Sequence, residues 1–247
     1  MIVLGLETST EVGGIALIDE GGLIAELSLS LPQNHSLRLL PSLDALLKLA
    51  NMSLKEIGGI AISLGPGSFT GLRIGLSTAK GIALALEKPL VGVPTLDALA
   101  LPFSYSPLLL CPMIDAKKGE VFTALYNGEG GRLHRLTPFY SLSPQGVIEK
   151  IGGEEALLIG NGAQLYQDLW QKALGEKVHL APSSFNFPRA SSIASLGGER
   201  LMRGERDDLH SLIPIYVRPS DAERKMAYSN PSTKAKKEAL LMFSEKA

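Results

Sequence analysis

The sequence predicts an α/β fold of two similar lobes, each built on a mixed β-sheet. Three observations carry that expectation. An apolar run ending in an acid opens each half: Ile2 to Leu6 before Glu7, and Leu108 to Ile114 before Asp115. A β-hairpin, a helix, a strand and a further helix then follow in the same order in both halves. Asp115 follows Glu7 by 108 residues and Gly130 follows Gly21 by 109, the near-constant offset of a duplicated unit.

In the first half, Gly13 to Ile18 and Leu23 to Ser30 read as strands joined by Asp19-Glu20-Gly21-Gly22, a hairpin-turn composition. His35 to Ala50 carry leucines at helical spacing, and Pro41 marks where the regular part of that helix is expected to begin. Ile57 to Leu64 read as a strand, Thr70 to Leu86 as a helix and Leu90 to Val93 as a strand. Thr95 opens another helix, with Asp97 favourable in its first turn. In the second half Val121 to Tyr126 and Leu133 to Tyr140 read as the hairpin strands around Glu129-Gly130-Gly131. A helix over 143–151, a strand over 156–159 ending at Gly160-Asn161-Gly162, a helix from about Ala163 and a helix over 190–203 follow. Hairpins give antiparallel pairs and strand-helix-strand crossovers give parallel ones, so each sheet is mixed. Prolines 94, 102, 107 and 112 punctuate the chain between lobes expected at 1–100 and 101–220, and a polar segment, 221–247, is expected to fray.

Composition narrows the function. Apolar residues make up 45% and charged residues 20%, and 24 basic against 25 acidic residues leave a net charge of −1. Nucleic acid cannot be held by bulk phosphate neutralisation at that balance, so any RNA contact is local or supplied by a partner. No stretch reaches the roughly 18 apolar residues of a membrane span. The N-terminal MIVLGLETST has no basic flank and reads as a strand rather than a signal peptide, so a cytoplasmic location is expected. The single cysteine, Cys111, lies in the apolar run LLLCPM and reads as a small core residue.

The chemistry-bearing stretch is ISLGPGSFTGLRIGLSTAKGIALAL, residues 62–86. Glycines at 65, 67 and 71 permit close backbone approach, and Ser68 or Thr70 can cap the helix. Free N–H groups at that helix start would suit an anion, and a tight capped turn explains the same residues. The spacing is not that of a phosphate loop of the Gly-Lys-Ser/Thr kind. Gly71, Gly75, Ala79 and Ala83 form a ridge of minimal side chains. Interior glycines cost a helix about 1 kcal/mol each, and close approach of another backbone offsets that. The approaching backbone is either the chain's own or a partner's. Leu39, Leu43 and Leu46 form one stripe of the first helix, and Leu40 and Leu47 a second that asks for its own cover. Glu7-Thr8-Ser9 and Asp115 stand at strand ends, where acids either position Mg²⁺ and water beside phosphate-binding hydroxyls or cap turns. His35 has Leu39 one helical turn on, and His134, His179 and His210 have no partner at ligand spacing. No Gly-x-Ser-x-Gly elbow supports hydrolase chemistry.

The blocks GLETST (5–10), NHSLRLLP (34–41), GPGSFTGLRIGLSTAKGIALA (65–85), IDAKKGEVF (114–122) and PIYVRPSDAE (214–223) together resemble the TsaB family, also called YeaZ. That resemblance implies a two-lobed actin/Hsp70/sugar-kinase (ASKHA) fold. It also implies a part in the threonylcarbamoyl modification (t6A) of adenosine 37 in tRNAs that read ANN codons. It implies docking on the larger catalytic paralogue TsaD through the first two long helices, with the ATPase TsaE joining the pair. TsaD-like chains carry a His-x-x-x-His metal pair that this sequence lacks. Family members usually carry aspartate where Glu7 stands.

The expectation is therefore a non-catalytic subunit, with no catalytic residue and no cofactor or metal of its own, ATP and metal residing on the partners. Glu7, Thr8, Ser9, Gly67, Ser68 and Asp115 would be a vestigial nucleotide site. Leu40, Leu43, Leu47, Gly71, Leu72, Gly75, Leu76, Ala79 and Ala83 would form the partner interface on helices 35–50 and 70–86. A bulky residue at Gly75 would then break the complex and leave the monomer folded. A homodimer would form without TsaD, and tRNA would be touched only indirectly or weakly. The alternative is a small ATPase or phosphotransferase with Glu7, Ser9, Gly67 and Asp115 around Mg-ATP.

Overall fold

Alternation along Ile-Val-Leu-Gly-Leu-Glu decides how the first strand is covered. In the computed structural model, which describes residues 1–30 and 35–218 apart from the side chain of His35, strand β1 (Ile2–Glu7) sends Leu4 and Leu6 into one core and Val3 into another, as period-two geometry requires. It pairs antiparallel with β2 (Val12–Asp19), which pairs antiparallel with β3 (Gly22–Ser30). On its other side it pairs parallel with β4 (Ile57–Gly65), which pairs parallel with β5 (Leu90–Pro94). The sheet order is β3-β2-β1-β4-β5.

Helices α1 (His35–Leu49) and α2 (Phe69–Leu86) cover the Leu4/Leu6 face with Leu39, Leu43, Leu46, Leu47, Leu76, Ala79 and Ala83. Each fully buried leucine contributes about 1.5–3 kcal/mol. The four leucines of α1 make one buried face, not two stripes, and Leu40 at its edge stays exposed. Helix α1 also runs from His35 through Pro41, rather than becoming regular only there.

The second half repeats this topology. Helix α3 (Thr95–Ala100) leads to β6 (Leu109–Lys117) and β7 (Glu120–Thr123). An inserted hairpin of β8 (Tyr126–Glu129) and β9 (Arg132–Arg135) follows, then β10 (Tyr140–Leu142). Helix α4 (Pro144–Ile151), β11 (Ala156–Ile159), α5 (Asn161–Leu165), α6 (Gln167–Leu174) and β12 (Val178–Leu180) complete it. The order β10-β7-β6-β11-β12 matches the first sheet strand for strand. The expected strands 121–126 and 133–140 are each divided. Leu125 N–H donates to Thr137 Oγ1 at 3.0 Å and Leu136 N–H to the Leu125 carbonyl at 2.8 Å, and these bonds turn the chain out of the β7–β10 ladder into the extra hairpin.

Helix α7 (Ala190–Met202) follows the second half in sequence but packs on the first sheet. Ile193, Ala194 and Leu201 join Val3, Ala61 and Val91 there. A side chain at Gly5 would collide with Ala190 and Ala194, so this glycine allows the helix to lie directly on β1. The following strap protects the sheet edge: Asp207 N–H donates to the Leu90 carbonyl at 2.9 Å, Gly92 N–H to Asp207 at 2.7 Å, and Arg200 holds Asp207 at 2.9 Å. Met1–Ile215 form one compact unit, and the residues from Tyr216 form a second, described only over 216–218. The expected frayed segment 221–247 lies outside the described residues.

Candidate functional site

The strand-to-helix turn between β4 and α2 faces the turn that leaves β1. Ser68 caps α2, its Oγ accepting from Gly71 N–H at 3.2 Å, and its own N–H donates to the Ser9 carbonyl at 2.7 Å. Gly65 lies at φ +107°, where a side chain is strained, and its N–H donates to Thr95 Oγ1 at 3.1 Å. A Cβ on Gly67 would collide with the Ser9 carbonyl, one on Gly71 with the Thr8 carbonyl, and one on Gly75 with Thr8 Oγ1. These glycines bring α2 onto the chain's own Thr8–Ser9 backbone.

Beneath that contact Glu7 is fully buried. Its Oε1 accepts from both the N–H and the hydroxyl of Ser9 at 2.5 Å, while Oε2 has no partner among the described residues. Thr8 N–H donates to Ser63 Oγ at 3.3 Å, and the buried Thr8 hydroxyl has no partner among the described residues. Desolvation pushes the Glu7 pKa up to about 7, against the lowering effect of bonds from Ser9 and Ser63.

Asp115 behaves differently. At the end of β6 its Oδ1 accepts Lys117 N–H and its Oδ2 meets Lys117 Nζ, both at 2.7 Å. Its own N–H donates to Asn161 Oδ1 at 3.0 Å. That pairing raises the Lys117 pKa, and the charge of Glu11, on the β1–β2 turn, adds to the effect. Residues of the two expected acid-bearing ends are thus brought near each other, but through Glu11 and Lys117; Glu7 is sealed away. Ser63, Lys117 and Asn161 were not singled out from the sequence. Lys117, beside Asp115 in IDAKKGE, was the legible one.

A phosphate or Mg²⁺ at this place, as the fold family implies, does not fit these residues. The glycine cradle is filled by Thr8 and Ser9, Glu7 has no exposed oxygen, and Asp115 is neutralised by its neighbour. No group of three or more metal-ligating side chains occurs among the described residues; the side chain of His35 lies outside them. No helix among them is long and apolar enough to cross a membrane. Cys111 is buried, its thiol pushed up to about 12 by desolvation, as a core residue's would be.

The expected interface is corrected in most of its positions. Leu43, Leu47, Gly71, Leu72, Gly75, Leu76, Ala79 and Ala83 are buried inside the chain, because the small ridge and the leucines beside it face β1 and β4. Leu40 alone of that set is exposed, at 55%. The outer faces of the same helices present Leu37 and Leu84, 68% and 73% exposed. Ser77 and Gly81 lie on that outer face of α2, and a Cβ at Gly81 would meet nothing within 4 Å.

A family model for TsaD, tRNA N6-adenosine threonylcarbamoyltransferase, matches residues 20–226. The tRNA threonylcarbamoyladenosine biosynthesis protein TsaB of Bacillus subtilis is 34% identical over 227 residues, 91% of this chain and 97% of the relative. This chain belongs to the TsaB family. The Escherichia coli TsaB protein is 31% identical over 231 residues, 92% of this chain and 98% of its own. The solved structure of YeaZ from Pseudomonas aeruginosa superimposes with a TM-score of 0.75 at 28% identity, covering 87% of this chain and 99% of that one. The fold is that of the solved YeaZ structures, and here one strand order is repeated in two mixed sheets.

Proposed function

We propose that this chain is the accessory, non-catalytic subunit of threonylcarbamoyl transfer to adenosine 37 of tRNA. It docks on the tRNA N6-adenosine threonylcarbamoyltransferase through the outer faces of α1 and α2. The observation that carries the non-catalytic part is the seat of Gly67, Gly71 and Gly75 on Thr8 and Ser9, which fills the place a phosphate would need. Support for the docking face comes from Leu37, Leu40 and Leu84, large apolar side chains left exposed on two helices that pack against each other. In this reading the transferase and the ATPase TsaE carry the nucleotide and metal, and the transferase makes most of the tRNA contact. Without the transferase, the same face pairs two copies of the chain.

The test replaces Leu40 and Leu84 together by glutamate. Both are exposed, so the melting profile stays within about 0.5 kcal/mol of wild type. Size-exclusion chromatography with the transferase then shows the complex lost, and t6A formation in the reconstituted reaction falls with it. An intact complex, or Mg-ATP turnover by the purified wild-type chain alone, overturns the reading. The small-ATPase alternative asks Glu7 and Asp115 to meet a nucleotide, and neither carboxylate is available for that.

A further inference from the structure

We infer that the outer edge of β3 pairs antiparallel with β3 of a second copy of this chain, across a two-fold axis that joins the two first sheets into one. Strand β3 is the free end of the order β3-β2-β1-β4-β5. None of its nine residues is buried, whereas every other strand of that sheet buries half or more of its own. Among the described residues its backbone is bonded to β2, and beyond that only Arg38 Nη1 reaches it, at the Leu29 carbonyl and 3.5 Å. The other sheet edges among those residues are protected. The strap seals β5, with Arg200 Nη1 on the Gly92 carbonyl at 2.6 Å beside the Asp207 bonds. Strands β9, β10 and β12 are only three or four residues long. An edge left long and open is a template for pairing with another strand.

The sequence of β3, GLIAELSLS, holds no lysine, arginine or proline to discourage such pairing. Ile24 bulges, because Ile18 pairs with Leu23 and Leu17 with Ala25, and the regular ladder runs over 25–30. The one charge there, Glu26, is turned to its own chain: it accepts from the N–H and the hydroxyl of Ser191, each at 3.0 Å. A two-fold axis normal to the sheet keeps each face on its own side, so it passes through a residue position. Through Leu27 or Ser28 it sets Glu26 opposite Ser28 or Ser30 of the other copy, and apolar residues of the ladder meet apolar ones. Through Glu26 it would set two carboxylates face to face, which is unfavourable. This self-complementarity selects a second copy over an unrelated strand. A strand already extended in its own sheet also loses less freedom on pairing than a free peptide would. The contact closes on itself, since each copy uses the same edge. It does not rest on the proposed docking role.

The full chain carrying Leu40→Glu and Leu84→Glu, with its outer helix face disabled, separates this contact from the docking reading. Sedimentation velocity should show that variant dimerising as its concentration rises. A nitroxide on Ser30→Cys in the same background reports the geometry, because the native Cys111 is buried and stays unlabelled. At about 3.3 Å per residue, an axis through Leu27 or Ser28 leaves the two 30 positions roughly 13–20 Å apart, so a spin–spin distance below about 30 Å is expected. Ser28→Glu meets a carboxylate in either register and should weaken dimerisation about tenfold, while the neutral Ser28→Gln retains it. A monomer at every concentration into the millimolar range overturns the proposal. So does a dimer whose labels lie farther apart, or one that Ser28→Glu and Ser28→Gln affect alike. If Ser28→Glu does not fold, the label distance decides alone. Whether the same background still binds the transferase bears only on the docking reading.

Discussion

The two halves share a strand order, and both end their first strand near an acid, yet the acids meet opposite fates. Glu7 is sealed inside the protein; Asp115 reaches solvent and is held by Lys117. Both halves seat a glycine turn on that first strand: Gly67 and Gly71 against Ser9 and Thr8, Gly160 and Gly162 against Met113. The difference lies in the helix that the turn opens. Helix α2 continues for 18 residues and carries Gly75 over Thr8. Helix α5 stops after five, at Tyr166, and α6 turns Trp170 into its own core, with the indole N–H on the Ala163 carbonyl. One topology therefore yields a closed strand end in one half and an open, self-neutralised one in the other.

The strongest way to break that contrast is to put a side chain on the ridge. Gly75→Leu must displace both Thr8 and Ile62 and should cost more than about 4 kcal/mol, the range of severe core disruption. The monomer would then not survive, contrary to the expectation drawn from the sequence. Gly75→Ala should cost about 2–3 kcal/mol through overpacking, whereas Gly81→Ala, facing open space, should gain about 0.5–1 kcal/mol from helix propensity. Thr8→Ala removes the hydroxyl that a Cβ at 75 would strike, so it should rescue part of Gly75→Ala in a double-mutant cycle. Urea midpoints for the four single variants and the double variant settle it; equal stability of Gly75→Ala and wild type would mean the ridge is not sealed.

The order of elements along the chain, the capped turn at Ser68 and the start of α2 were legible in the sequence because each rests on local chemistry: apolar alternation, a side-chain cap, permissive glycines. The features that were not legible rest on long-range partners. Small residues on α2 announced a close approach without saying whose backbone approached. Val121 to Tyr126 reads as one strand because Ala124 and Leu125 are buried and continue the apolar run, and only the bonds to Thr137 and Leu136 divide it. Helix α7 was grouped with its chain neighbours because its fit against Gly5 exists only in three dimensions. Glu7 looked like a ligand for the same reason: nothing local shows that it is covered.

The cover over Glu7 has a titration signature. Its folded pKa is raised, to about 7 from 4.5. Between those values the folded chain keeps a proton that the unfolded chain has released, so stability falls as pH rises through the window and is level on either side, as far as this group is concerned. The drop is on the order of 3 kcal/mol. Exposed carboxylates such as Glu205 and Asp208, whose pKa values are lowered, slope the other way at lower pH. The useful quantity is therefore the difference between wild type and Glu7→Gln. Chemical denaturation from pH 4 to 8 should show that difference changing across the window in favour of the glutamine variant at high pH. A pH-independent difference would place Glu7 in contact with water.

Asp115 gives the smallest effect and the sharpest contrast. Lys117 is 76% exposed, and a pair of that kind contributes at most about 1 kcal/mol and less as salt screens it. Lys117→Ala should therefore lower stability by under about 1 kcal/mol, with the loss shrinking at high salt. The substitution also asks whether the open acid is merely masked. Without Lys117, Asp115 and Glu11 would remain, two carboxylates that leave Mg²⁺ most of its hydration shell and hold it only weakly without a phosphate. Calorimetry on Lys117→Ala should accordingly detect no Mg²⁺ binding at millimolar ion. Tight binding would mean that one lysine separates the second half from a working metal site, and that the two halves differ by a side chain rather than by the length of the helix after the turn.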